Sequence, residues 1–303
     1  MPQHRVFSQF QPCLATAREG LFVDWLGEKI PGALIDAHLF GERNAAGGET
    51  TSNCRPPGYF PPFNEEYFEW IDLLESALQA SDVFTFLELG AGFGRWSVRA
   101  ACAARQLGKR YRLGLAEAAP KHVGEIHEVM TVNGVSRSDY TLFECAVAAK
   151  HGEGVFVVEW PTGNPPVWYG QALTTNSMSG AAVAGEHEGV PLWRMSDGWG
   201  VIKIQQLPLS EIVGNYSRVD LADLDLQGME AEAIEEALST LTDRVHRLHI
   251  GTHSHEIEAR LRDALSGAGW TCVRDYPCLQ ENDTPFGRIA FVDGVQTWIN
   301  ERL

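Results

Sequence analysis

From residue 83 the chain reads Val-Phe-Thr-Phe-Leu-Glu-Leu-Gly-Ala-Gly-Phe-Gly and then continues as Arg-Trp-Ser-Val-Arg-Ala-Ala. A short apolar run that ends on glycine and passes into a helical pattern is a buried strand turning sharply into a helix. Gly90, Gly92 and Gly94 let the backbone turn and come close to a ligand, and the free N–H groups of the new helix point at it. Three alternating glycines directly after a strand favour a ligand site over an incidental turn.

The flanking pattern repeats the same grammar. YRLGLAEA is a second strand, PKHVGEIHEVMTVNGV a second helix and YTLFECAVA a third strand. VDLADLDLQG, MEAEAIEEALSTL, VHRLHIGTH and HEIEARLRDALSGAGW continue the alternation, and TCVRDYP begins a late strand. Alternating strands and helices predict an α/β fold with a mostly parallel sheet and helices on both faces. GRIAFVDGVQTWIN closes the chain as a final strand and turn. Before residue 63 the text is different: Pro56, Pro57, Pro61 and Pro62 stop any helix, and a stretch rich in Gly, Thr and Asn precedes them. Residues 1–62 therefore read as an N-terminal extension, a substrate-side or oligomerising arm, and 63–303 as the catalytic domain. Within that domain, residues 156–200 lack clear periodicity and carry Trp160, Trp168, Trp193 and Trp199, which predicts a functional insertion, a lid or a stacking surface.

Composition narrows the classes. With 24 basic against 40 acidic residues the net charge is −16, a poor match to phosphate backbones or anionic lipid. No nucleic-acid or membrane partner is expected. The six cysteines form no CxxC pair, the start lacks a secretory pattern, and a reducing, cytoplasmic setting is expected.

Four positions carry candidate chemistry. The glycine turn is G-x-G-x-G, with Arg95 where a dinucleotide fingerprint needs its last glycine, and Glu88 beside it would repel phosphate and suit a cation. Glu117, ending the second strand, is placed to accept hydrogen bonds from ribose hydroxyls. Asp225 ends the DLDLQG strand at the carboxyl edge of the sheet, where open α/β folds bind ligands, and Glu230 follows in the next helix. His253 stands at another strand end, in His249-Ile250-Gly251-Thr252-His253-Ser254-His255-Glu256, as a base or substrate contact. A solvated helix start explains these histidines better than a metal site, so no metal ligand is assigned and a divalent cation is not favoured.

The ordered set FLELGAGFGRW, LAEAAP, MTVNGV, FECAVAAKHGEGVFVV, LPLSEIV, DLDLQGMEAE and HIGTHSHE resembles the FkbM-type methyltransferases, a branch of the class I S-adenosylmethionine-dependent enzymes, over residues 60–300. The resemblance implies a Rossmann-like seven-stranded sheet whose last strand is antiparallel. It implies S-adenosylmethionine as cofactor, held by Glu88, Gly90, Gly92, Gly94, Glu117, Ala118, Cys145 and Ala146. It implies methyl transfer to a hydroxyl of a sugar or secondary metabolite, with Asp225, His253 and Glu230 on the catalytic side; the leading segment of about 60 residues, by its size, leaves a homodimer as one assembly. Gln227, Leu224 and Gly251 depart from the family pattern on that side, so the identity of the base stays open. The alternatives are a cofactor-binding partner subunit without catalysis and a nucleotide-dependent oxidoreductase.

Overall fold

The computed structural model describes residues 3–13, 20–34, 61–161, 170–174 and 178–303. The stretch holding Pro56 and Pro57, Cys54, and the pair Trp168 and Tyr169 lie outside the described residues. A 3-10 turn, Arg5–Gln9, precedes a hairpin of β1 (Leu21–Val23) and β2 (Lys29–Pro31). Next come α1 (Glu66–Gln79), β3 (Val83–Leu89), α2 (Arg95–Gln106), β4 (Arg110–Glu117), α3 (Pro120–Val132) and β5 (Tyr140–Glu144). A run of strands follows: β6 (Ala146–Ala148), β7 (Gly152–Glu159), β8 (Leu173–Thr174), β9 (Ala182–His187), β10 (Val190–Arg194) and β11 (Gly200–Pro208). After α4 (Leu209–Gly214) the alternation resumes with β12 (Leu221–Leu224), α5 (Glu230–Arg244), β13 (Arg247–Thr252), α6 (His255–Gly267) and β14 (Thr271–Tyr276). The chain closes with β15 (Gln280–Thr284), β16 (Gly287–Phe291) and β17 (Gly294–Ile299).

The main sheet has seven strands in the order β14-β17-β13-β12-β3-β4-β5. Its pairs are parallel except those made by β17, which is antiparallel to both neighbours. The expected Rossmann-like architecture is therefore present. Side chains alternate across the sheet: Phe84 and Phe86 of β3 pack with α1, α2 and α3, while Leu87 and Leu89 pack with α4, α5 and α6. Strand order reverses between β3 and β12, and the crevice at such a switch point is where doubly wound sheets bind ligands.

Two expectations are revised. GRIAF and GVQTWI do not form one closing strand: β16 pairs with β15 in a separate hairpin, and only β17 joins the main sheet. A bend at Val292–Asp293 separates them, although Ile289, Phe291 and Val295 still share one apolar core. The aperiodic segment 156–200 also contains strands. Together with β6 and β11 it forms a six-stranded sheet, β8-β7-β11-β10-β9, with β6 parallel to β11. β9 is almost wholly exposed, which removes the alternation that marks a half-buried strand. The inner face of this sheet, with Ala146, Phe156, Val158, Leu192, Ile202 and Ile204, packs on Ala119 of the main domain.

The N-terminal hairpin is bound to the core by charge. Arg99 of α2 reaches Asp24 and Glu28, each at 3.2 Å, and its guanidinium lies 4.4 Å from the ring centre of Trp70 and 4.1 Å from that of Trp96. A second buried cluster joins α1 to the sheet: Asp72 pairs with Arg247 and His249 at 2.8 Å and also accepts from Arg274 and Thr297.

Candidate functional site

The glycine turn is built by backbone conformations that only glycine tolerates cheaply. Gly90, Gly92 and Gly94 have φ of 89°, 52° and 82°. Gly90 comes so close to the carbonyl oxygen of Asp225 that any side chain there would collide with it. Gly94 packs near Leu115 and Met130 instead, and so shapes the turn from beneath.

Glu117, ending β4, braces this turn. Its Oε2 accepts the Gly92 amide at 2.7 Å and its Oε1 the Ala119 amide at 2.7 Å. Burial raises its carboxyl above the usual range. Glu88 is engaged differently: its oxygens accept the amides of Trp96 at 3.1 Å and Ser97 at 2.8 Å, satisfying the first turn of α2. Burial pushes its carboxyl up to about 8.

Two cavities meet here. One is lined by Gly90, Gly92, Glu117, Ala118, Cys145 and Ala146 together with His122, Val147, Phe156, Gln171, Asp225 and Gln227. Six of the eight cofactor-side residues anticipated from sequence thus share one cleft. No Lys or Arg appears among the described residues that line it. A carboxylate at the end of β4, apolar walls and a glycine turn fit an adenosyl group without phosphate. His122, Phe156 and Gln171 were not anticipated; His122 is the buried face of α3, and Phe156 and Gln171 come from the inserted sheet.

The second cavity, about 250 Å³, shares Gly90 and Asp225 with the first. Its walls carry Glu65, Glu66, Glu69, Glu88, Asp223, Asp225 and Asp293, facing Arg95, Arg99 and His249. Both arginines lie against Glu28 behind the wall, so the chamber itself is acidic. Burial raises the carboxyls of Glu69 and Asp223, which adjoin each other.

Of the three residues expected on the catalytic side, Asp225 stands at the rim, with His253 and then Glu230 behind it. Asp225 follows β12 and His253 follows the adjacent β13, so the two strand ends bring them together. His253 Nε2 lies 3.4 Å from Asp225 Oδ1, and Nδ1 lies 2.9 Å from Glu230 Oε1. Glu230 is fully buried, and its Oε1 accepts the amides of Leu226 at 2.9 Å and Gly228 at 3.1 Å, fixing the loop that presents Asp225. Burial alone would lower the imidazole, but Glu230, Asp225 and Asp293 raise it to about 9. The enclosing walls raise the Asp225 carboxyl, with His253 opposing them. Asp293, with Oδ1 3.7 Å from His253 Nε2, went unnoticed in the sequence. The signal was present: Asp293-Gly294 opens an antiparallel strand, and the start of such a strand lies at the same sheet edge as the ends of β12 and β13.

A second group, His255, Glu258 and Cys278, also brings possible ligand atoms together. Glu258 is already engaged there by Thr252, the Cys278 amide and His255, so the group fastens the loop before β15 onto α6.

This sheet order, glycine turn and β4 carboxylate define the class I methyltransferase architecture. The chain belongs to the FkbM family: the model for the methyltransferase FkbM domain matches residues 88–267. It is thus a methyltransferase, and the family implies S-adenosylmethionine as the methyl donor. A protein of Jannaschia sp. (strain CCS1), provisionally named a methyltransferase, is 25% identical over 293 residues, covering 95% of each chain. Among solved structures, the FkbM methyltransferase of Methylobacillus flagellatus KT is 12% identical with a TM-score of 0.44, covering 73% of this chain and 44% of that one. A SAM-dependent methyltransferase from Agrobacterium tumefaciens is 12% identical with a TM-score of 0.46, covering 94% and 72%. No helix among the described residues is long and apolar enough to cross a membrane.

Proposed function

We propose that this protein transfers the methyl group of S-adenosylmethionine to a hydroxyl oxygen of a sugar or secondary metabolite. The observation that carries the reading is the meeting of the glycine-turn cleft and the acidic chamber at Gly90 and Asp225, with His253 and Glu230 directly behind. When bound, the cofactor supplies an electrophilic methyl on a sulfonium. Glu117 and the Gly90–Gly92 turn would hold its nucleoside end, and the chamber carboxylates would complement its positive charge. What remains for the protein is to align the acceptor and remove its proton. Asp225 faces the chamber, His253 stands against it, and Glu230 fixes the imidazole from its far side. Asp225, which lines both cavities, is placed to take the hydroxyl proton, and the His253 imidazolium behind it holds that carboxylate in position.

Isothermal titration with S-adenosylhomocysteine tests the cofactor half, with binding at about one molecule per chain expected. Mass-spectrometric detection of O-methylated product from a panel of hydroxylated sugars tests the chemistry. Absence of any heat and any melting shift at millimolar S-adenosylhomocysteine would overturn the reading.

A further inference from the structure

We propose that the cavity beside Trp160 and Trp199, on the outer face of the inserted sheet, is a subsite for one uncharged sugar ring of a glycan acceptor, apart from the hydroxyl that is methylated. The acceptor role rests on the methyl-transfer reading; the sugar subsite itself does not.

The cavity measures about 370 Å³, within the range of about 300–1,000 Å³ usual for small-molecule sites. Phe156, Val158 and Ile202 turn toward the main domain, so Val157 and Val201, which are paired across β7 and β11, turn outward and form its floor. The indoles of Trp160 and Trp199 line the same space, with ring centres 4.9 Å apart and planes inclined at 45°. At that angle they do not stack flat on each other, and Trp160 remains 45% exposed. The turn before Trp199 holds its backbone: the Gly198 amide donates to the Met195 carbonyl at 3.0 Å, and the Met195 amide to the Trp199 carbonyl at 2.9 Å. A surface fixed before its ligand arrives loses less entropy on binding, which matters most for a weak ligand such as a sugar.

The lining selects the chemistry of the occupant. Among the described residues around the cavity there is no Asp, Glu, Lys, Arg or His, in contrast to the acidic chamber. A charged group would enter without a counter-ion, and an anionic one would also meet the net charge of −16. A pyranose fits these walls. Its C–H face packs on an indole, while its hydroxyls meet Gln171 and Thr174 or stay in water on the open side.

The cavity adjoins the reacting end. Gly170, Gln171 and Leu173 line both it and the cofactor cleft, so one segment of chain separates the two. Gly170 lies against Gln227: a Cβ there would stand 3.6 Å from Gln227 Oε1, and Gln227 Nε2 donates to Asp225 Oδ1 at 2.6 Å. A glycan of two or more units can seat one ring on the indoles while another offers its hydroxyl to Asp225. Binding energy from the distant ring then serves to align the reacting one.

The test screens the full chain, saturated with S-adenosylhomocysteine, on an array of neutral, uronic and sialylated glycans. Binding to neutral glycans of two or more units is expected, weakened at least tenfold in Trp160→Ala and largely restored in Trp160→Phe. Trp160 is half exposed, so its replacement leaves folding intact, and the melting temperature of each variant checks this. Three results would overturn the subsite: no neutral glycan bound while S-adenosylhomocysteine binds, glycan binding that Trp160→Ala leaves unchanged, or a preference for the acidic glycans. Binding of phenyl glucoside without methyl glucoside would overturn it too, because an aromatic aglycone would then fill the cavity. In each of these cases the methyltransferase reading stands. Failure of S-adenosylhomocysteine itself to bind would remove that reading, whereas the same array probed with the unliganded chain would still decide the subsite.

Discussion

Gly90 and Asp225 touch backbone to backbone across neighbouring strands: the Cβ of any other residue at 90 would run into the Asp225 carbonyl oxygen. The contact makes the floor shared by both cavities. Gly90→Ala must therefore push β3 and β12 apart while also forcing a non-glycine residue to φ near 89°. Strain of this kind costs about 1–3 kcal/mol before the collision is counted. The expected outcome is a lowered melting temperature and undetectable S-adenosylhomocysteine binding by calorimetry; retention of near wild-type affinity would contradict the assignment of this turn.

Glu117 serves two partners, the Gly92 and Ala119 amides, from one buried carboxylate. Loss of charged hydrogen bonds of this type is worth about 1.5–3 kcal/mol each. Glu117→Ala should weaken S-adenosylhomocysteine about ten- to a hundredfold, with a modest loss of stability. An unchanged Kd would show that the nucleoside end lies elsewhere.

Asp225→Asn and His253→Ala separate binding from chemistry. His253 lines neither cavity and Asp225→Asn keeps the shape of the wall where the two cavities meet, so S-adenosylhomocysteine affinity should stay within a few-fold while kcat falls about 10²–10⁴-fold. A loss that appears in KM alone would make these residues acceptor contacts only.

Burial raises Glu28 to about 7 and Glu88 to about 8, both from an ordinary value near 4.5. A folded-state value above the unfolded one means that the folded chain binds more protons between the two. The associated stability is full below about pH 4.5 and is lost as pH rises through 7 to 8. The melting temperature should thus decline between pH 5.5 and 8.5. Glu28→Gln should flatten that decline, because its side chain no longer titrates against Arg99. Parallel curves for variant and wild type would show that Glu28 does not drive it.

Asp72 carries the opposite sign. Despite its burial, Arg274, His249 and Arg247 hold its carboxyl below the usual range. Asp72→Ala leaves the buried Arg247 with only the partly exposed Glu75 at 2.8 Å, and breaking a buried pair of this kind costs up to about 3–5 kcal/mol. Urea denaturation should register this as a lower midpoint, whereas a shift under about 1 kcal/mol would place the cluster's energy elsewhere.

Much of the main sheet could be read from the sequence because its strands are buried on both faces and its helices carry regular apolar stripes. The glycine turn, Glu117 and the Asp225–His253 pairing follow from that reading, since strand ends in a parallel sheet must share one edge. What the sequence did not show depends on long-range pairing. β9 is too exposed to alternate, and the break between β16 and β17 rests on a local bend at 292–293. Asp293 became part of the site only because β17 runs antiparallel. Glu88 was expected to face a cation, yet its oxygens serve the amides of α2, a role that needs the helix position to be known.

The inserted sheet leaves the main domain at Ala146–Ala148 and returns at Gln206–Pro208, and these two segments are paired side by side in parallel. Because exit and return are neighbours, the intervening strands could be exchanged for another cassette without disturbing the order of the seven-stranded sheet. The cofactor half of the cleft, from Gly90 to Ala146, would survive such a graft. A lineage could thus acquire a new acceptor by replacing one continuous stretch of gene, keeping the methyl-donating machinery as a fixed chassis.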